Sequence, residues 1–464
     1  MEYISRDEII EATGGELIVK GTNALCNNVS IDTRAISDND IFIALKGENF
    51  NANDFVLQAS KSGASICIVD EVKFKNTELD MKTSVIMVQD TNVAIMQLAK
   101  FYINKLNIKV VGITGSTGKT STKDLVAAVL GSKFKVFKTL GNFNNEIGLP
   151  MMIFKLDSTF DVAVLEMGMS DFGEIHRLCD VARPNIGIIT NIGMSHIENL
   201  KTRENILKAK MEITDFFNKD SVLIVNSDND LLEGITTSKS KLIKTGIDSI
   251  AEYKAVDLNI YQEKITFNIL EAGKLIVKTI EVDIPGRHNV LNSLLAVACA
   301  REMGMNYDEI AGGFKKLEAT SMRLDIIKGN KFTIVNDCYN ASPDSMIAAI
   351  DVLCNISGKS KIAILGTMRE LGTSSFQAHK QVGAYARDKN IDLLITLGEF
   401  NQAYSEGFVD INKYRSFETY DEVISFLEGI LSEDDVVLVK ASRYMKFESI
   451  VNCLGNINSK EVMG

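Results

Sequence analysis

Two patterns of apolar residues alternate along the chain. Short runs that are apolar at nearly every position recur from one end to the other: Ile41-Phe42-Ile43-Ala44-Leu45, Ile66-Cys67-Ile68-Val69, Val110 to Ile113, Val162 to Leu165, Ile186 to Thr190, Val222 to Val225, Phe332 to Val335, Lys361 to Gly366, Leu393 to Gly398 and Asp435 to Lys440. Unbroken apolar runs of this length read as strands buried on both faces, the habit of parallel sheets. Between them lie segments with helical spacing, such as Thr122-Lys123-Asp124-Leu125-Val126-Ala127-Ala128-Val129-Leu130, and helix starts such as Ser5-Arg6-Asp7-Glu8, which has the form of a capping box. The alternation predicts an α/β chain.

At 464 residues the chain has room for about three domains. Residues 1–90 are expected to form a small α/β domain. Residues 91–320 predict a central, mostly parallel sheet with helices on both faces, of the phosphate-loop ATPase kind. Residues 321–464 begin a second set of alternating elements, a Rossmann-like domain. None of the later strands is followed by Gly-x-Gly-x-x-Gly, so a dinucleotide is not indicated. No internal repeat, low-complexity tract or heptad run is present.

One stretch carries recognisable chemistry. Lys109-Val110-Val111-Gly112-Ile113-Thr114-Gly115-Ser116-Thr117-Gly118-Lys119-Thr120-Ser121 is an apolar run ending in a glycine-rich turn that opens onto a helix. Glycines let a backbone approach phosphate oxygens, amides at a helix N-terminus face the anion, Lys119 adds a point charge and the Thr120 hydroxyl suits Mg²⁺. The general pattern wants glycine where Ile113 stands; here glycines fall at 112, 115 and 118. Two further strands end in polar groups at the edge where such folds gather function. Val162 to Leu165 ends in Glu166, placed as an acidic Mg²⁺ position, and Ile186 to Thr190 runs into a loop with His196, which by itself reads more simply as a loop histidine. In the first domain Asp32-Thr33-Arg34 and Lys46-Gly47 are donor-rich loops beside strands, fit to grip a ligand or to be solvated turns.

Composition narrows the partners. A formal net charge of −11 argues against a nucleic-acid or anionic-membrane surface, leaving room for a local basic site for a small anion. Seven cysteines without a Cys-x-x-Cys pair read as reduced thiols. No signal segment or run of about 20 apolar residues is visible, so a cytoplasmic protein without membrane insertion is expected.

Several of these stretches together resemble the Mur ligase family, the ATP-dependent amide-bond ligases of peptidoglycan precursor synthesis, and its MurF type in particular. The glycine spacing Gly112-x-x-Gly115-x-x-Gly118-Lys119-Thr120 is similar to that family's own. Gly141-Asn142-Phe143-Asn144-Asn145-Glu146-Ile147-Gly148-Leu149-Pro150, Leu165-Glu166-Met167-Gly168, Asn191-Ile192-Gly193 with His196, and Lys208-Ala209-Lys210-Met211-Glu212-Ile213 resemble its successive blocks. So do Pro285-Gly286-Arg287-His288-Asn289-Val290-Leu291-Asn292, Asn336-Asp337-Cys338-Tyr339-Asn340-Ala341-Ser342-Pro343 and Lys440-Ala441-Ser442-Arg443. The likeness covers nearly the whole chain. It departs at Gly366-Thr367-Met368, where Gly-Asp-Met is usual, at Ala441 in place of glycine, and at Asn51-Ala52-Asn53-Asp54, where Asp-Gly-His is common.

The resemblance implies an acyl-phosphate ligase that adds D-alanyl-D-alanine to UDP-N-acetylmuramoyl-tripeptide, acting as a monomer on small molecules. It implies ATP held by Gly115, Ser116, Thr117, Gly118, Lys119, Thr120 and Ser121, with Asn289 on the adenine side and Arg323, Asp337, Tyr339 and Asn340 reaching in from the domain junction. It implies two Mg²⁺ ions on Thr120, Glu166, His196 and Lys210, the last carbamylated; as a residue type alone, Lys210 reads as an unmodified surface lysine. Lys119, Glu166, His196 and Lys210 would then be catalytic. Asp32, Thr33, Arg34, Lys46, Gly47, Asn142, Asn144 and Asn145 would contact the nucleotide-sugar peptide, and the C-terminal domain the amine. A switch protein built on the same loop would want a guanine-reading Asn-Lys-x-Asp, which the chain lacks; a related ligase adding another amino acid, diaminopimelate-adding or folylpolyglutamate-type, is the nearer alternative, although Asp-Asn-Pro-Arg is missing.

Overall fold

The computed structural model describes residues 1–318 and 320–459; residues 319 and 460–464, at the edges of the expected second and third domains, lie outside it. Each apolar run forms or overlaps a strand, and the strands collect into sheets of five, nine and six, with a small ribbon pairing Ile4–Ser5 with Leu25–Cys26. The capping box is made: Ser5 Oγ accepts from the Glu8 amide at 3.2 Å and Glu8 Oε2 from the Ser5 amide at 2.7 Å.

In the nine-stranded sheet Lys109–Thr114 lies between Ile186–Ile189 and Val162–Glu166, parallel to both. Val136–Lys138 forms one edge, and on the other side follow Val222–Asn226, Lys241–Gly246, Tyr253–Ile260, Ile265–Glu271 and Lys274–Val282. Because successive strands leave Lys109–Thr114 in opposite directions, a crevice opens at its carboxyl end, and there the glycine-rich turn sits. Helices Lys119–Leu130 and Arg287–Glu302 cover one face, while Thr91–Leu106, Gly148–Ile153 and Glu174–Ala182 cover the other.

The last two pairings of that sheet are antiparallel, a meander that the sequence analysis did not anticipate. Tyr253–Ile260 and Ile265–Glu271 alternate buried with more exposed side chains, the signature of a sheet covered on one face only. A search for unbroken apolar runs passes over such strands.

The five-stranded sheet runs Glu16–Val19, Ser84–Met87, Ile66–Val69, Asp40–Ile43, Asn28–Ser30, parallel except for the first pair. Its Ile41, Ile43, Ile66, Ile68 and Ile86 share one core with Leu98 and Tyr102 of helix Thr91–Leu106 and with Leu149, Ile153 and Leu178 beyond it. The six-stranded sheet, ordered Asp325–Lys328, Thr333–Asn336, Val436–Lys440, Lys361–Gly366, Leu393–Leu397 and Tyr414–Phe417, is again parallel after an antiparallel first pair, with a core on each face. Asn336 and Lys440, at the ends of adjacent strands of this sheet, therefore open toward the crevice of the middle one.

The seam between first and second sheets hangs partly on Tyr102, fully buried, whose hydroxyl donates to the Leu156 carbonyl at 2.7 Å and accepts from the Glu2 amide at 2.6 Å. Tyr102→Phe should leave both backbone groups unpaired at a cost of about 1–2 kcal/mol, lowering the urea midpoint without changing turnover. An unchanged midpoint would mean that the seam does not depend on this hydroxyl.

Candidate functional site

The glycine-rich turn is shaped from outside as much as by its own glycines. Gly115 has φ +153°, and a Cβ there would lie 1.8 Å from Thr190 Oγ1; only glycine fits against the neighbouring strand end. Asn191 then takes up the turn's first amides, its carbonyl accepting from Ser116 N at 3.0 Å and its Oδ1 from Thr117 N at 2.8 Å, while its Nδ2 donates to Thr117 Oγ1 at 2.8 Å. The Ser116 and Thr117 amides are thus committed to the protein, a narrower arrangement than the whole turn facing an anion. What remains for a ligand are the opening amides of helix Lys119–Leu130, which have no intrahelical partner. Lys119 folds back so that Nζ donates to the Gly115 carbonyl at 2.7 Å. Burial pushes its amine down, against the pull of Glu166 and with the push of Arg323.

Beside the turn, the Thr120 hydroxyl donates to Glu166 Oε2 at 3.0 Å, and Asn144 Nδ2 donates to Glu166 Oε1 at 2.9 Å. The Glu166 amide is itself held by Thr139 Oγ1 at 3.0 Å. Asn145 instead caps the helix Gly148–Ile153, its Oδ1 accepting from Gly148 N at 2.7 Å, and Asn142 is exposed, its carbonyl accepting from the Asn144 amide at 2.8 Å. A hydroxyl and one well-oriented carboxylate form a hard-oxygen set that suits Mg²⁺ completed by phosphate oxygens. Among the described residues no three His, Cys, Asp or Glu side chains come together as a metal-binding group.

The third sheet completes the cleft, a space of about 230 Å³ between the turn and the Asn336–Ser342 junction. Arg323 crosses the domain boundary: its Nη2 donates to Thr120 Oγ1 at 3.1 Å, and its guanidinium stacks 4.1 Å above the Tyr339 ring. Its Nε is buried with no hydrogen-bond partner among the described residues. Asp337 pairs with buried Lys440, whose Nζ also donates to the Asn340 carbonyl at 3.0 Å. On the opposite wall Asn289 donates to the Pro285 carbonyl at 2.7 Å and accepts from Asn292 at 3.2 Å, while burial pushes the His288 imidazole down to about 4. Ser121 lines the same cleft.

His196 and Lys210 stand differently. His196 adopts φ +64° and pairs through Nδ1 with Glu370 of the third sheet's loop. Lys210, in helix Arg203–Met211, is 1% exposed rather than at the surface, and its amine makes no hydrogen bond or ion pair with any described residue. Burial first, then the charge of Lys119, holds its amine well below the usual lysine value.

The first-domain candidates are not brought to this cleft. Asp32 grips Arg34 side by side, Nη2 to Oδ2 at 2.7 Å and Nε to Oδ1 at 2.9 Å, with Thr33 opening the short turn between them. Lys46 pairs with Glu71, and Gly47 N donates to the Phe50 carbonyl at 2.8 Å. Conversely Asn191, His288, Asn292 and Lys440, met above only as parts of motifs, enter the site without having been assigned a role, as do Ser195, which lines the cleft, and Glu370. Asn292 was findable, one helical turn after Asn289 in a segment of helical spacing; Glu370 was not, because only the packing of two domains brings it to His196.

A phosphate-binding turn in a parallel sheet, closed by an arginine from a second α/β domain, defines a nucleotide-dependent enzyme of two catalytic lobes. Comparison with known proteins gives the family. Residues 113–300 match the Mur ligase middle domain and residues 322–443 the Mur ligase glutamate ligase domain. The UDP-N-acetylmuramoyl-tripeptide--D-alanyl-D-alanine ligase of Bacillus subtilis is 39% identical over 94% of this chain and 96% of that protein, and that of Escherichia coli 31% over 98% and 99%. MurF of Acinetobacter baumannii superposes with a TM-score of 0.89 at 27% identity, over 99% of this chain and 100% of that one. MurF ligase of Thermotoga maritima, in complex with ADP, gives 0.83 at 26% over 93% and 97%. The chain belongs to the Mur ligase family.

Gly115→Ala should weaken ADP binding at least tenfold by calorimetry, because the new Cβ must displace Thr190 and with it the turn. Binding within twofold of the unsubstituted protein would show that the turn does not require this approach.

Proposed function

We propose that the chain is an ATP-dependent, ADP-forming ligase that joins D-alanyl-D-alanine to UDP-N-acetylmuramoyl-tripeptide for peptidoglycan synthesis, working as a monomer in the cytoplasm. The observation that carries the reading is the contact of Arg323 with Thr120 at 3.1 Å, which brings the third domain onto the phosphate turn within one chain. The full-length likeness to ligases of that name supports the substrates. Among the described residues no helix is long and apolar enough to cross a membrane.

An amide ligase must give a carboxylate a leaving group, and a carboxylate resists approaching a phosphate of like charge. The chain's own groups meet that problem by position and charge. The opening amides of the Lys119–Leu130 helix and the Lys119 ammonium hold the β- and γ-phosphates, and Arg323, with one donor still unpaired, closes on them from the other side. Magnesium fits beside Thr120 and Glu166, and there it would neutralise the phosphate oxygens as the peptide carboxylate attacks and the acyl phosphate forms. Packing of the third domain over the cleft keeps water from that acyl phosphate until the amine arrives. Asn289 would lie on the adenine side, with Asp337, Tyr339 and Asn340 at the junction. In the first domain the loops of Asp32, Thr33, Arg34, Lys46 and Gly47 would take the nucleotide-sugar, with Asn142, Asn144 and Asn145 nearer the peptide.

Lys210 suits carbamylation. CO₂ reacts with the neutral amine, and a buried lysine near a second lysine, with no counter-ion among the described residues, is pushed toward that form. The carbamate would offer an anionic oxygen pair where the ammonium could only repel, and with His196 could hold a second ion.

Phosphate release measured with a panel of UDP-muramyl peptides and amine acceptors tests the function: release should require both a UDP-muramyl tripeptide and D-alanyl-D-alanine, and release driven best by a single amino acid would move the chain to another branch. Lys119→Ala should lower turnover about a thousandfold or more at saturating ATP, and retained turnover would refute the phosphate turn. Lys210→Ala should be nearly inactive and partly rescued by formate or acetate, not by amines. Full activity without additive would remove the carbamate.

A further inference from the structure

The third domain reaches the site through a second loop, Thr367 to Leu371, whose side chains the phosphate chemistry does not use. Glu370 has φ +64°, a left-handed conformation rare for a residue with a side chain. That turn breaks the alternation of an extended chain and sends neighbouring side chains to unlike places. The Glu370 carboxylate faces His196 across the domain boundary and lies close enough to Lys119 to feel its charge. Its backbone is pinned as well, the Glu370 carbonyl accepting from the Glu198 amide at 3.1 Å.

Arg369, one residue earlier, has its amide tied to Ser442 Oγ at 3.0 Å, joining this loop to the Lys440–Arg443 stretch. Its guanidinium lies 4.0 Å over the ring of Tyr444, itself 72% exposed. The nearest acid, Glu399, is 4.0 Å away, beyond hydrogen-bond length, so the fork makes no hydrogen bond to any described residue. Arg443, by contrast, is engaged with Glu448 at 3.1 Å. A stacked arginine with its donors open is the geometry that recognises a carboxylate bidentately.

We propose that Arg369 and Glu370 are the two poles of the acceptor site: Glu370 holds the amino terminus of the incoming dipeptide beside the phosphoryl centre, and Arg369 reads its terminal carboxylate. The inference rests on the ligase reading above and names the residues that carry its acceptor specificity. An extended dipeptide sets its two charges about 7 Å apart, a span that side chains of adjacent residues cover when the backbone between them turns. Glu370 is already paired with His196, but a carboxylate has two oxygens and about four lone-pair sites, enough for an amine as well. Because Glu370 lies near Lys119, an amine held by its carboxylate sits on the side where the acyl phosphate forms.

The test compares D-alanyl-D-alanine with D-alanyl-D-alaninamide, which lacks the terminal charge, in steady-state phosphate release. The unsubstituted enzyme should prefer the free carboxylate, and Arg369→Ala should raise KM for D-alanyl-D-alanine about 10- to 100-fold and abolish the preference. KM for ATP and for the UDP-peptide should not move, and Arg369→Lys, which keeps the charge without the fork, should recover part of the loss. Glu370→Gln should raise KM for both acceptors alike. Melting temperatures equal to that of the parent show that these exposed substitutions leave the fold intact. Arg369→Ala with acceptor KM within twofold of the parent, or with the preference kept, overturns the carboxylate pole; Glu370→Gln with unchanged acceptor KM overturns the amine pole. A parent enzyme that releases phosphate with other acceptors but not with the dipeptide overturns the functional reading itself, and the inference with it.

Discussion

The protein concentrates positive charge in one cleft of an otherwise acidic molecule, and much of its architecture serves to hold that charge in place. Lys119 and Lys210 are near enough to affect each other, and Arg323 bears on both Lys119 and Lys440. Burial lowers all three amines, so each would leave for water if the backbone allowed. It does not: Lys119 is fixed at the head of a helix, Lys210 inside another, and Lys440 at the end of a central strand. Lys210, pushed toward the neutral amine, adds little charge, but the neutralisation of Lys119, Arg323 and Lys440 by the protein is incomplete. Glu166 and Asp337 answer part of the charge, and the remainder is an attraction for phosphate and carboxylate, the two anions an amide ligase must bring together.

The same constraint explains why the cleft lies between two sheets rather than within one. A single parallel sheet offers helix amides and one lysine at its carboxyl edge, which suffices to bind a nucleotide. Surrounding a transferring phosphoryl group requires cations from the far side too. In the proposed ligase Arg323 would supply one, carried by a domain whose own strands end toward the same space, while Lys440 beside it is paired with Asp337. Stacking on Tyr339 holds the Arg323 guanidinium flat without consuming its donors.

The strands and the phosphate turn were legible in the sequence because their causes are local: unbroken apolar runs, and glycines where a Cβ would meet Thr190 or Asn292. What escaped depends on distance along the chain. The meander Tyr253–Val282 has the alternating pattern of a one-sided sheet, readable in principle but mixed with charged residues that also suit a surface loop. The capture of the Ser116 and Thr117 amides by Asn191 joins residues about 75 apart, and no local rule announces it. Lys210 looks solvated in sequence, flanked by Ala209 and Met211 and two residues from Lys208, yet packing buries it completely.

Backbone strain marks the boundary where these long-range requirements meet. His196, Met322, Leu324 and Glu370 all have positive φ, at +64°, +61°, +50° and +64°. Each such residue costs on the order of 1 kcal/mol or more relative to ordinary backbone, and none is a glycine, which would adopt the conformation without strain but carry no side chain. Two of them bear the groups that pair across the boundary; the other two flank Arg323 and turn it toward Thr120. Glycine at Met322 or Leu324 would relieve the strain and also loosen the arginine between them. Retention of side chains at left-handed positions therefore fits a boundary whose conformation is imposed by the packing of the two domains, with the regular sheets on either side supplying the stability that the strained loops give up.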